Sequence, residues 1–334
     1  MTVDECIRAY RKLAQQAFTP KRTSILPGSP SGAFSAKALE AAIKQTVKEC
    51  CTDEECVTRR CQDHEVHATC PHSNLAFRNR ACTKTYVLLY CIDDKCPEEI
   101  LIGSRVVLAI TKSNVDAGPT LFKTYDTWTP FDGCTIWQVA RATSAATTFF
   151  KPIRVGRDDI EFIDAGFGYN NPCEELIKES QRTFPEHREL LILSVGTGLG
   201  GVVAIKDKRM SIINSLKKMA TSSKKVATNL NDRYSESDQY FRFNVDRGLE
   251  DITLSDWEQA STISAHTANY LSENSRTIEK FVDVLIRNTL SADRHDVEPK
   301  HDDRTRLQQA RGTGCHTAGH IASREGQLGE PRSR

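Results

Sequence analysis

Three things are scarce in this chain: net charge, long apolar runs, and the short motifs that mark a nucleophile or a zinc finger. Its 45 basic and 44 acidic residues leave a formal net charge of +1. No whole-chain field therefore draws nucleic acid or an anionic membrane, and no nucleic-acid partner is expected. No apolar run is long enough to span a bilayer, so no transmembrane segment is expected. Residues 1–20 lack the apolar core of a secretory leader and read as an amphipathic helix. The expectation is a cytoplasmic protein with reduced thiols. The serine elbow G-x-S-x-G is absent: Gly28-Ser29-Pro30-Ser31-Gly32 comes nearest, with proline where the serine must stand. No Cys-x-x-Cys pair occurs, although nine of the twelve cysteines lie between Cys50 and Cys134.

What is present is length and alternation. With 334 residues the chain can build a large α/β domain. Thr2 and Glu5 form a capping box, and Val3, Ile7, Tyr10, Leu13, Ala14 and Ala17 then share one helical face. A stripe that wide needs a partner. Ser35 caps a second helix whose inner face carries Leu39, Ala42, Ile43 and Val47. VVLAIT over 106–111 is a short continuous apolar run rich in β-branched residues, expected as a buried strand of a parallel sheet. A strand over 120–127 follows. Thr135 and Gln138 then open a helix with Ile136, Val139, Ala140 and Thr143 inward and Arg141 turned away. Residues 160–163 form the strand that delivers Asp164 to its end. Helices over 172–184 and 212–230, strands over 190–195 and 240–245, and a last helix lined by Ile278, Phe281, Val282, Leu285 and Ile286 complete the pattern. This alternation predicts an α/β fold, a three-layer α/β/α sandwich with a mostly parallel sheet. Ligands in such folds sit beyond the carboxyl ends of strands, where Asp164 stands.

Three stretches are candidates for chemistry. Gly196, Gly198 and Gly201 match G-x-G-x-x-G after a strand, but Val202-Val203-Ala204-Ile205 reads as more strand, not a helix start. No acidic residue stands where a ribose needs one. The run is expected to be a tight turn at the sheet rim, and no cofactor is expected. Segment 50–82 is dense in zinc-ligand types: Cys50, Cys51, Cys56, Cys61, His64, His67, Cys70, His72 and Cys82. Its spacings match no finger or ribbon, so a solvated loop pinned by buried thiols, without metal, is expected. Asp164, before Ala165 and Gly166, can form a turn or act as a general base at a sheet rim.

IWQVARATSAATTFFKPI, then DAGFGYNNP, then ILSVGTG resemble the patatin-like phospholipase domain, especially its fungal type, over roughly residues 2–290. The resemblance implies a Ser-Asp dyad that hydrolyses lipid esters, with Asp164 as its aspartate and Ala165 and Gly166 completing the motif. Alanine stands where that family more often has glycine. The resemblance also implies a glycine-rich oxyanion loop and a serine elbow ahead of the stretch matched here. Neither motif is in this sequence, so the chain is expected to be an N-terminally truncated portion of the domain, missing its first strands and inactive as written. Residues 1–290 are then the patatin-like domain, 86–105 an insert, and 291–334 a disordered tail. The implied partner is a phospholipid or acyl ester at a membrane surface, met by peripheral contact. A second reading is a non-catalytic binding or interaction remnant that uses the cleft or the Cys/His-rich segment 50–82, the latter as a metal-binding region.

Overall fold

The computed structural model describes residues 2–18, 34–51, 53–56, 70–78, 105–125, 130–146, 149–186, 189–198, 210–249, 252 and 255–295. The insert expected at 86–105, apart from Arg105, lies outside these residues, as does the tail beyond His295. The chain divides into units 1–292 and 293–334, and of the second only 293–295 are described.

The helices start where local hydrogen bonding starts them. Helix α1 (Val3–Ala17) opens on the Thr2/Glu5 capping box: the Thr2 N–H donates to Glu5 Oε2 at 2.7 Å and Thr2 Oγ1 accepts from Glu5 N. Helix α2 (Ala36–Glu49) is capped by the Ser35 hydroxyl, which accepts from Ala38 N at 3.2 Å. Ala14 and Ala17 bury one end of α1, and Leu39, Ala42 and Ile43 bury the inner face of α2. Val3, Ile7 and Tyr10 stay exposed at 75%, 51% and 69%. The first half of the α1 stripe is therefore uncovered.

Four strands follow: β1 (Val106–Thr111), β2 (Thr120–Lys123), β3 (Ile153–Val155) and β4 (Ile160–Asp164). They form one sheet in the order β2-β1-β4-β3, and every neighbouring pair is antiparallel. The expected mostly parallel sheet is thereby corrected. The run VVLAIT reports two covered faces, not a direction of pairing. Ala109 packs with Phe122, Val139, Val155 and Phe162 on one face, while Leu108 and Ile110 pack with Ile163 and Ala165 on the other. Burial on both faces makes a strand continuously apolar whichever way its neighbours run. The β3–β4 hairpin turns through Gly156 (φ 84°) and Asp159 (φ 48°). A side chain at Gly156 would meet Phe131 Cδ1 at 2.9 Å, so glycine is required twice over there.

Helix α3 (Ile136–Thr143) lies on the Phe162 face and is opened by the Thr135/Gln138 capping box. Its buried residues are Val139, Arg141 and Ala142. Arg141 was expected to point away and is instead 2% exposed. Its Nη2 donates to the Lys151 carbonyl at 2.8 Å, an acceptor invisible to helical periodicity. A four-residue helix α4 (Gly166–Tyr169) and helix α5 (Cys173–Thr183) follow β4. Asn171 Oδ1 accepts from Cys173 N at the start of α5.

A second, two-stranded sheet pairs β5 (Ile192–Val195) parallel with β6 (Tyr240–Phe243). Helix α6 (Met210–Arg233) connects them, and its Val226 and Leu230 pack with Ile177 of α5 and Ile192 of β5. Leu193 and Val195 of β5 are 47% and 73% exposed. Among the described residues β5 has β6 as its only strand neighbour and is not joined to the first sheet. Helices α7 (Ala260–Glu273) and α8 (Ser275–His295) end the described chain. On α8, Phe281 packs edge-on against Phe241 and Phe243, and Val284 is buried. Val282 and Ile286, expected inward, are exposed at 41% and 49%, because that face has no element over it among the described residues.

Candidate active site

Asp164 ends β4, paired with Ala109 at the centre of the first sheet. Its N–H donates to the Ala145 carbonyl at 3.1 Å. Thus the end of the α3 segment and the end of the Asp164 strand are tied together. Ala145 is fully buried and Ala146 nearly so, and only small side chains allow that approach. Asp164 Oδ1 accepts from Gly166 N at 2.8 Å, which closes the turn into α4. Ala165 has φ −68°, ordinary right-handed backbone, so alanine in place of glycine carries no strain.

Burial raises the Asp164 carboxyl to about 6, with the Gly166 hydrogen bond pulling weakly the other way. A carboxyl titrating there is well matched to accept a proton near neutrality. Among the described residues no serine hydroxyl hydrogen-bonds it.

The glycine run behaves as a rim turn over its described part. Gly198 has φ 75° and its N–H donates to Asn244 Oδ1 at 2.9 Å. A Cβ on Gly196 would fall 2.0 Å from that same Asn244 oxygen. These glycines thus let β5 approach the Asn244 side chain that follows β6. Gly201 and 202–205 lie outside the described residues.

A buried ion cluster joins β2 to α5. Glu179, 5% exposed, accepts from Tyr125 Oη at 2.6 Å, Arg182 Nη2 at 2.9 Å and Thr183 Oγ1 at 3.2 Å, and pairs with Lys123 Nζ at 3.0 Å. Burial works against its charge, but Arg182, Tyr125 and Lys123 outweigh it and hold the carboxyl at about 2. Periodicity did not single out Glu179. An acid on the inner side of an amphipathic helix was the signal for it.

In segment 50–82 the structure brings together Cys51, Cys56, Cys70 and His72. Cys61, His64, His67 and Cys82 lie outside the described residues, and Cys50 is not in the cluster. The sulfurs of Cys51, Cys56 and Cys70 stand 3.1, 3.3 and 3.6 Å from one atom, His72 Nδ1. All four candidate ligand atoms lie within 4.8 Å of one another. Burial and the neighbouring Cys70 and Cys51 thiols push the Cys56 thiol up to about 12. Spacing missed this set, because Cys51-x4-Cys56 and Cys70-x-His72 are not finger pairs; density of ligand types was the legible signal.

No helix among the described residues is long and apolar enough to cross a membrane. Comparison with known proteins finds no family model that matches. Over 162 residues, 46% of this chain, it is 29% identical to calcium-independent phospholipase A2-gamma of Rattus norvegicus. The same protein of Mus musculus and of Homo sapiens is 29% identical over 160 residues, 45% of this chain. The chain spans about a fifth of the length of these curated relatives. The similarity supports kinship with patatin-like phospholipases.

Proposed function

We propose that this chain carries the aspartate side of a patatin-like lipid acyl hydrolase, cleaving a phospholipid or other acyl ester through an acyl-serine intermediate. The observation that carries the reading is Asp164. It stands at a strand end, is tied through its N–H to Ala145 and through Oδ1 to Gly166, and titrates at about 6. The phospholipase similarity supports the substrate class.

Asp164 is the general base that takes the proton of a serine hydroxyl, with Ala165 and Gly166 positioning it. The serine and the oxyanion donors lie on a segment outside the present sequence, which has no G-x-S-x-G. Bare apolar groups support a missing neighbour: Leu193 and Val195 on β5, and Val3, Ile7 and Tyr10 on α1. An added strand and helix would cover them. The domain is assigned to residues 1–290, with 291–334 as a tail, in a cytoplasmic protein that meets membrane only at its surface.

The test is a fluorogenic phospholipid assay on liposomes. The chain alone is expected to show no turnover that depends on Asp164 and no labelling by a serine-directed fluorophosphonate. Fused behind the oxyanion-loop and elbow segment of a relative, it is expected to gain turnover that Asp164→Ala abolishes. Labelling of the chain alone, or fused activity indifferent to Asp164→Ala, would overturn the assignment.

A further inference from the structure

Three buried cysteines form a cluster: Cys51, Cys56 and Cys70 are 3%, 5% and 8% exposed, and among the described residues no aliphatic or aromatic side chain joins it. Three thiols alone are too little apolar surface to be a core. Hydrogen bonding to His72 does not account for their arrangement either. An imidazole nitrogen has one in-plane lone pair or one N–H, so it satisfies one sulfur, yet three converge on His72 Nδ1.

The distances suit a cation at the common centre. Zinc takes sulfur at about 2.3 Å and imidazole nitrogen at about 2.0–2.1 Å, and a tetrahedron with those arms has sulfur–nitrogen edges of about 3.6 Å. The three sulfur–nitrogen separations here are 3.1, 3.3 and 3.6 Å. Little adjustment is needed to admit the ion. Thiolates and imidazole are the soft and borderline donors that select zinc over magnesium or calcium.

We propose that Cys51, Cys56, Cys70 and His72 form a structural Zn²⁺ site of the Cys₃His type. Four protein ligands complete the tetrahedron, so no position is left for a reacting water. The local backbone is arranged to present the ligands. Cys51 follows the end of α2, the Asp53 carboxylate accepts from Cys56 N at 3.3 Å, and His72 opens a short 3-10 turn (His72–Asn74).

The site's place in the fold says what it does. From His72 the chain runs directly onto the start of α3: the Asn74 side chain accepts from Trp137 Nε1 at 3.0 Å, the Leu75 carbonyl from Ile136 N at 2.9 Å, and Phe77 N donates to the Cys134 carbonyl at 2.8 Å. The zinc thus fastens the end of α2 to the N-terminus of α3. Beyond the other end of α3, Ala145 holds the Asp164 N–H. The inference is independent of the hydrolase reading, because it rests on the four ligands alone.

The test uses the full 334-residue chain, purified without an affinity tag or chelator. Elemental analysis is expected to find one zinc per chain. X-ray absorption on the unmutated protein is expected to find three sulfurs and one nitrogen around it, at about 2.3 and 2.0 Å. Cys51→Ser, Cys70→Ser and His72→Gln are each expected to lose the metal, while Cys6→Ser, at an exposed position, keeps it. Metal-free protein, a disulfide among the three cysteines, or a zinc shell unaffected by these substitutions would each overturn the proposal. The absorption measurement keeps the question decidable even if the variants fail to fold.

Discussion

Replacing Glu179 with glutamine should destabilise the protein in a way that depends on pH. The substitution keeps size and shape and removes the charge that compensates Lys123, whose side chain is 10% exposed. The Glu179 carboxyl titrates at about 2 rather than the ordinary 4.5. A difference of that size is worth at most about 3 kcal/mol at 1.36 kcal/mol per pH unit. Arg182 is 60% exposed, so water screens part of the interaction. About 2 kcal/mol is therefore the expected loss for Glu179→Gln near neutral pH. The sign follows from the lowered value. The stabilisation is full above about 4.5 and fades as pH falls toward about 2, where the wild-type carboxyl is protonated too. Urea unfolding of wild type and variant at a series of pH values reads this directly. The gap between them should shrink as pH falls from 4.5. A gap that stays constant down to acid pH, or one below about 0.5 kcal/mol near neutrality, would refute the idea that a buried ionised carboxylate holds β2 to α5.

Asp164 should behave in the opposite sense. Its raised value of about 6 means that ionisation opposes folding, with the penalty absent below 3.8 and complete above about 6. Asp164→Asn keeps an oxygen for Gly166 N and should stabilise by about 1–2 kcal/mol in mild alkali and by nothing in acid, read by chemical denaturation. An equal effect at both ends of the pH range would point to packing instead. Gly198→Ala should cost about 1–3 kcal/mol, since its φ is 75° and a Cβ would meet the Val245 carbonyl at 2.6 Å. Gly118→Ala, with open space around it, is the matched control and should be near neutral in the same melt.

Much of this fold was legible where a residue's partner sits three or four positions away. The Thr2/Glu5 and Thr135/Gln138 capping boxes and the Ser35 cap stand as read, because each needs only its own helix's first turn. Asp164 at a strand end was legible for a similar reason: the short strand Ile160–Ile163 meets small residues that must turn.

Other features depended on distant chain. Neighbours folding back from both sides decided that β1 runs antiparallel to them, and its own six residues carry no trace of that choice. The Lys151 carbonyl drew Arg141 inward, and Phe241 and Phe243 set which face of α8 is covered. The Cys51–Cys56–Cys70–His72 cluster is the clearest case. Its members are spread over more than twenty residues in pairs of unfamiliar spacing, and only the packing of the 3-10 turn against α2 and α3 makes them neighbours. Local hydrogen bonds are written into adjacent residues, whereas the meeting of groups far apart in the chain is decided by which surfaces bury one another.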